Sequence, residues 1–465
     1  MAPIRELALH LLLQKENNVP FPVLLEQAYA KIPESGHNIQ EKAFLMALCY
    51  GVLRNCGLLR QIFLPVCKKK PNPAMETCLC LALYELFFLG KSEYAIVNEY
   101  VELAKRQAGQ AKAHALNAIL HTILKDKERV EKELADFQEQ IKTPIPGNQI
   151  PGKKSLRRLH QLADLPELFT DNLHRTFYQR IVEESFSAPL PAFRINRQKE
   201  MDLPRELVRI SPGIVFLPEP DTTAEHAKQT EQIRQIEQAK QTERAKSADE
   251  LKRLAKQGFI SRQGIASALF AEIIAQFISE NNLADAPLWD MCCGRGGKSL
   301  ALLEKNIHVS MASEPSQARL DEFAKELQRL HLPAPQTIQG PAEECIPKSQ
   351  LQEFPLILLD SPCSTSGTIA RNPEVKYRIT KESLAEVIQT QEKLLKLAHA
   401  HLQEKGYLFY CTCSVFDSEN KGQLKQFLAE FPAMQLMHEE YLIPSALNPQ
   451  LKGHDILYYA ILQKK

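Results

Sequence analysis

Two cysteines follow two different apolar runs of strand length, Cys363 in LILLDSPCSTSG and Cys413 in GYLFYCTCSVFDSEN. An open parallel sheet presents its ligand crevice at the carboxyl ends of its strands, so thiols placed there would face one pocket. A thiolate can add to an electron-poor ring carbon as a covalent catalyst, and a second thiol can help to break that adduct. Substitution at carbon 5 of a cytosine needs this division of labour. Buried structural cysteines are commoner, yet these two sit in polar turns. Cys363 lies behind Asp360 and Pro362 and ahead of a Ser/Thr/Gly stretch, and Cys413 lies between Thr412 and Ser414.

A second constellation follows the run PLWDM: Asp290-Met291-Cys292-Cys293-Gly294-Arg295-Gly296-Gly297-Lys298-Ser299. Glycines at a strand-to-helix turn let the backbone approach a ligand closely and leave N–H groups free to hold an anion, although many such loops are only tight turns. The spacing lacks the third glycine of the dinucleotide fingerprint, which argues against nicotinamide cofactors. Glu314 ends the next apolar run, where a carboxylate can accept hydrogen bonds from ribose hydroxyls; an ordinary acid at a helix start beside Pro315 is the alternative. Glycine loop, strand-end acid and Asp360 at a later strand end are together compatible with a nucleoside-plus-amino-acid cofactor, and S-adenosylmethionine fits that description. Cys411-x-Cys413 and Cys292-Cys293 have neither a second pair nor a histidine couple at ligand spacing, so no metal is expected.

Elements must position these groups. From Phe259 to the end, strand candidates PLWDM, HVSMAS, PLILLD, GYLFYCT and ILYYAIL alternate with helical patterns such as QARLDEFAKELQRLH. That alternation predicts a doubly wound α/β sheet over 259–465. Residues 1–145 read as helices throughout: Ala8, Leu11 and Leu12, then Phe44, Leu45, Leu48, Val52 and Leu53, then Leu81, Leu83, Leu86 and Phe87 recur mostly three and four apart. Cys78–Leu89 is too short to span a bilayer and carries Glu85, so it reads as a buried helix and no membrane role is expected. Residues 146–258 are mixed, with strand-like APLPAFRIN and ELVRISPGIVFLP followed by a charged excursion from Asp221 to Gln257 that can bury almost no face.

Bulk properties set limits. The 465 residues, 44% of them apolar, suffice for two or three cored domains. Eleven cysteines without paired spacing, and a start lacking a secretory pattern, predict reduced thiols and a cytoplasmic protein. A net charge of +1 means that affinity for nucleic acid must come from local patches, with Lys68-Lys69-Lys70 and Lys153, Lys154, Arg157 and Arg158 as candidates.

WDMCCGRGGKS, LLDSPCSTSGTIARNPEVKY and LFYCTCSVFDSENKGQLKQFL together resemble the cofactor and catalytic motifs of the Nol/Nop/Sun family of RNA 5-methylcytosine methyltransferases. The helical front end, from RELALHLLLQ to HALNAILHTILKD, resembles the RNA-binding domain of the NusB family. The resemblance implies a Rossmann-like S-adenosylmethionine methyltransferase core preceded by an all-α NusB-like domain. It implies Cys413 as nucleophile, Cys363 as the thiol that assists release, Asp360 as a contact to cofactor or base, and Cys292, Cys293, Gly294, Arg295, Gly296, Gly297 and Lys298 with Glu314 as the cofactor pocket. The expected partner is RNA, small-subunit (16S) rRNA foremost, and the expected state is a monomer. The chain departs from the family pattern at three places. Gly294-Arg295 stands where Ala-Pro is usual, Gly340-Pro341 where an acid follows the third-strand glycine, and Gln263-Gly264 where a Gln-Asp pair is usual. Methylation of another RNA such as a tRNA, or a non-catalytic RNA-binding or assembly role, are the rival readings.

Overall fold

The computed structural model describes residues 4–16, 19–32, 38–142, 249–342 and 353–465, and between 161 and 218 the residues 161, 163–166, 168, 169, 181–196, 198, 199, 203, 204 and 207–218. The chain forms two compact units: Met1–Ser187 with Thr368–Lys381, and Ala188–Gly367 with Glu382–Lys465. Most of the charged excursion 221–257, and the basic group Lys153, Lys154, Arg157 and Arg158, lie outside the described residues.

The first unit contains helices α1 (Ile4–Leu12), α2 (Phe21–Tyr29), α3 (Asn38–Phe63), α4 (Pro73–Phe87), α5 (Glu93–Ala108), α6 (Gln110–Lys125) and α7 (Lys127–Lys142). Among the described residues one helical stretch, Asn38–Val66, is long and apolar enough to cross a membrane by length and composition. It is instead built into the bundle, with Leu45, Leu48, Cys49, Leu59 and Phe63 fully covered. Gly51 permits that packing, because a Cβ there would stand 2.0 Å from the Tyr84 ring. The stretch Cys78–Leu89 is mostly α4, and its buried Glu85 is fully partnered: Arg5 donates to both its oxygens at 2.8 and 2.7 Å and Tyr100 donates at 2.6 Å.

Thr368–Lys381 closes this unit. Its 3₁₀ turn Pro373–Tyr377 buries Pro373, Glu374, Val375 and Lys376. Lys376 Nζ donates to the Ala163 carbonyl at 2.7 Å, Tyr377 donates to Asp164 at 2.8 Å, and Arg54 donates to the Ala370 carbonyl at 2.8 Å. The Lys15 ammonium lies 4.3 Å from the centre of the Tyr377 ring.

The second unit holds two sheets. The smaller is antiparallel, ordered β2-β3-β1-β4, from β1 (Ala192–Ile195), β2 (Val208–Ser211), β3 (Ile214–Phe216) and β4 (Ile260–Arg262). It packs Ala192, Ile214 and Phe216 on Ile265 and Ala268 of α8 (Ile265–Glu280).

The larger sheet contains β5 (Leu288–Asp290), β6 (Val309–Glu314), β7 (Gln336–Gln339), β8 (Phe354–Asp360), β9 (Leu402–Thr412), β10 (Met434–Leu442) and β11 (Leu457–Lys464). Its order is β10-β11-β9-β8-β5-β6-β7, with β7 through β9 parallel and β11 antiparallel to both β9 and β10. Helices α9 (Gly297–Leu303), α10 (Gln317–Leu330), α11 (Lys381–His401), α12 (Lys421–Glu430) and α13 (Pro444–Leu447) complete the unit. Both faces of the sheet are covered: Phe270, Leu300 and Phe323 lie over one, and Leu394, Leu395 and Leu424 over the other.

Candidate active site

The register of β8 against β9 brings the thiols together. Asp360 pairs with Cys411, so Cys363 and Cys413 leave neighbouring parallel strands three and two residues past a matched pair. Their Sγ atoms stand 3.1 Å apart. Ser361 N–H donates to the Cys411 carbonyl at 2.9 Å and Gly367 N–H to the Cys413 carbonyl at 2.9 Å, stitching the two loops. Gly367 must lack a side chain, since a Cβ would meet the Ile456 carbonyl oxygen at 2.5 Å.

The hydrogen bond with Cys413, burial, and the negative charge of Cys413 and then Glu419 hold the Cys363 thiol well above its ordinary range. Both thiols remain partly accessible. Cys411 lies one position before the turn, inside the strand, and is wholly buried; burial and then Asp360 push its thiol up.

Asp360 joins Cys411 of β9 to Lys298 of the glycine loop. Lys298 Nζ reaches one of its oxygens at 2.5 Å and Cys411 Sγ donates to the other at 3.2 Å. Burial alone would lower the Lys298 ammonium, but Asp360, Cys411 and Cys413 outweigh it and raise its pKa.

The loop after β5 is shaped by backbone. Gly294 and Gly296 adopt φ values of +56° and +79°. A Cβ on Gly296 would stand 2.0 Å from the Phe323 ring, whereas one on Gly294 would meet open space. Arg194, buried on β1, donates to both oxygens of Glu304 at 2.6 and 3.1 Å and to the Gly297 carbonyl at 3.1 Å, pinning the loop where α9 begins.

Other expected pocket residues are distributed differently. Cys293 faces the core, its N–H donating to the Ser313 carbonyl at 3.0 Å, and burial raises its thiol. Cys292 is half-buried at the turn. Arg295 is 72% exposed and pairs with Glu322 at 2.9 Å. Glu314 is buried at the end of β6, where its Oε1 accepts from Ser316 N–H at 3.0 Å and Arg319 at 3.3 Å.

Asp290, which only its place in the loop motif could have signalled, ends β5 beneath this turn. Burial lifts its carboxyl from the ordinary 3.8 to about 7 against the opposing bond from Ser299. Its Oδ1 is buried without a partner. Glu419, likewise, was legible only as an acid after Cys413; its carboxylate joins both thiol loops. Among the described residues no group of three or more His, Cys, Asp or Glu side chains could hold a metal ion.

A glycine loop after the first parallel strand, a buried acid at the end of the second, and polar turns after the fourth and fifth define a nucleotide-cofactor α/β framework. Residues 279–462 match the family model of the 16S rRNA methyltransferase RsmB/F, and residues 2–125 match the NusB family. The chain thus carries an RsmB/F-like methyltransferase region after a NusB-like one, and it is an RNA methyltransferase whose cofactor is S-adenosylmethionine.

The chain is 28% identical over 431 residues to ribosomal RNA small subunit methyltransferase B of Vibrio cholerae, covering 92% of this chain and 90% of that protein. It is 26% identical to the protein of that name from Erwinia tasmaniensis over 93% of this chain and 94% of the relative. The crystal structure of PH0851 shares the fold, with a TM-score of 0.65 at 17% identity and coverage of 100% of this chain and 99% of that one. The site fits the cofactor. Asp290 Oδ1 is a buried acceptor without a partner, the loop at Gly294 opens onto free space, and Glu314 is a buried carboxylate at the end of the neighbouring strand β6.

Proposed function

We propose that this protein methylates carbon 5 of a cytosine in RNA, the RNA being small-subunit (16S) rRNA, through a covalent bond to Cys413. The 3.1 Å separation of the Cys363 and Cys413 sulfurs, at the ends of adjacent parallel strands beside the cofactor loop, carries this reading.

Carbon 5 of cytosine is too weak a nucleophile to take a methyl group unaided. The Cys413 thiolate adds to carbon 6, and the ring becomes an enamine at carbon 5. S-adenosylmethionine supplies an electrophilic methyl group. Once carbon 5 has taken that group, its proton leaves to a base; the C5–H electrons re-form the ring double bond, and the bond from sulfur to carbon 6 breaks to return the thiolate.

Cys363 suits the base role through its coupling to Cys413. Two of the causes that keep it protonated are the hydrogen bond and the charge of its neighbour. Both vanish when the Cys413 sulfur is bonded to carbon, so the Cys363 thiol can then release its own proton to water and, as a thiolate, take the proton from carbon 5. Asp360, held by Lys298 and Cys411, presents its remaining lone pairs to the cofactor or to the base edge. Asp290, the glycine loop and Glu314 hold the cofactor.

A stacked and paired cytosine cannot present carbon 6 to a sulfur, so the target is looped, single-stranded or flipped out. The names of the relatives favour 16S rRNA among the possible RNAs. Methyl transfer to protein-free 16S rRNA, followed by mapping of the modified nucleotide, tests the proposal. One 5-methylcytosine is expected; label confined to tRNA, or placed on another atom, overturns it.

A further inference from the structure

The acid that follows the second thiol by six positions has a role that neither the motif nor the family assignment gives it. Glu419 lies in the 3₁₀ turn Asp417–Glu419 and is fully buried. Its Oε1 accepts from Ser364 N–H at 2.8 Å and from Gln391 Nε2 at 3.0 Å. Its Oε2 accepts from the hydroxyls of Ser364 and Ser414. Ser364 follows Cys363 and Ser414 follows Cys413, so one carboxylate grips the residue next to each thiol.

The surrounding bonds converge on the same purpose. Gln391 also donates to the Pro362 carbonyl at 2.9 Å, just before Cys363. Ser366 Oγ lies 3.0 Å from Ser414 Oγ and accepts from Val415 N–H at 3.0 Å. Thr365, between the two serines of the first loop, holds φ at +57°, a conformation that a β-branched residue adopts only when its neighbours enforce it.

We propose that Glu419 is the positioning residue of the thiol pair: a buried acceptor that clamps the loops after β8 and β9 so that the Cys363 and Cys413 sulfurs stay within reach of one another. All four partners donate to it, which a carboxylate can satisfy and an amide cannot, because an amide nitrogen has no lone pair for a hydroxyl or N–H to address. This role rests on the methylation reading for its purpose and on the hydrogen bonds alone for its geometry.

The test separates the two. Diamide takes two electrons and two protons from a pair of thiols and leaves a disulfide, so the rate at which the Cys363–Cys413 bond appears, read by peptide mass mapping and corrected for the thiolate fraction of each variant from its pH profile, reports the proximity of the sulfurs without RNA. Glu419→Gln in the full-length protein should slow that rate at least tenfold, leave S-adenosylmethionine affinity within twofold, and lower kcat for methyl transfer at least a hundredfold at little change in KM. Glu419→Asp should recover part of both losses.

Disulfide formation by Glu419→Gln at the wild-type rate overturns the clamp. Absence of methyl transfer by the wild-type protein instead overturns the methylation reading and leaves the disulfide comparison standing. Should Glu419→Gln fail to fold, Ser364→Ala and Ser414→Ala each remove one bond to Oε2, and the pair combined should slow disulfide formation severalfold; an unchanged rate in a folded double variant also overturns it.

Discussion

Cys413 and Cys363 lose different things on conversion to alanine. Without Cys413 no bond to carbon 6 can form, so Cys413→Ala should show neither methylation nor adduct, with a loss of at least about 10⁴-fold, as for other covalent nucleophiles. Without Cys363 the adduct forms and is methylated but does not resolve, so Cys363→Ala should remain attached to RNA as a slow-migrating, nuclease-sensitive band on a denaturing gel. A band with Cys413→Ala in its place would reverse the roles.

Asp290 gives a pH prediction. Its carboxyl titrates near 7 in the folded protein against 3.8 ordinarily. Between those values the unfolded chain has surrendered this proton and the folded one has kept it, so stability falls as pH rises through the window. Asp290→Asn should remove that fall, gaining on the order of 1–3 kcal/mol relative to wild type at pH 8 over pH 4 in denaturant titrations. Parallel curves for the two proteins would refute it.

The paired thiols were legible because each stands in a polar turn after an apolar run. Glu419 was not, since its four donors come from Ser364, Gln391 and Ser414, and only Ser414 is near it in sequence. The resemblance placed the whole loop from Cys292 to Lys298 at the cofactor, but nothing in the sequence says which of the consecutive side chains Cys292 and Cys293 packs into the core, as Cys293 does.

Among the elements, the glycine loop is the most exacting. Gly296→Ala must both hold φ at +79° and displace the Phe323 ring, so it should cost about 2–4 kcal/mol and weaken cofactor binding, to be read by calorimetric melting and titration. Gly294→Ala, with open space at its Cβ, should pay only the backbone penalty of about 1 kcal/mol. Equal losses would refute the account.

The strands that sequence revealed, β5, β6, β8, β9 and β11, are mostly buried and carry apolar runs, interrupted by Ser310 and Ser313 in β6 and preceded by the exposed Gln403-Glu404-Lys405 in β9. The two at the edges of the large sheet were harder to see. β7 reads QTIQ and β10 reads MQLMHEEYL with most positions open to solvent, so neither carries the apolar run that marks a strand. β4 is three residues long and becomes a strand only because β1 is there to pair with it.

At the scale of the whole molecule, the stretch Thr368–Lys381 belongs to the helical unit although it begins five residues after Cys363 in a motif read as catalytic. Removal of residues 1–145 takes away Lys15 and Arg54, which hold Tyr377 and the Ala370 carbonyl, and also the exposed Lys68-Lys69-Lys70. The truncated protein should bind S-adenosylmethionine within about twofold of wild type, bind RNA at least about tenfold more weakly, and turn over more slowly even at saturating RNA. RNA affinity equal to that of the full chain would refute the assignment of RNA contact to the bundle.

That same stretch fixes an order of events in synthesis. The helices of the first unit emerge first, but their last packing partner follows everything from Ala188 to Gly367. At about 5–20 residues per second the ribosome needs roughly 10–40 s to supply it. During that interval the nascent bundle presents bare the surface meant for Val375 and Tyr377, and the first unit reaches its final form only after most of the second has been made.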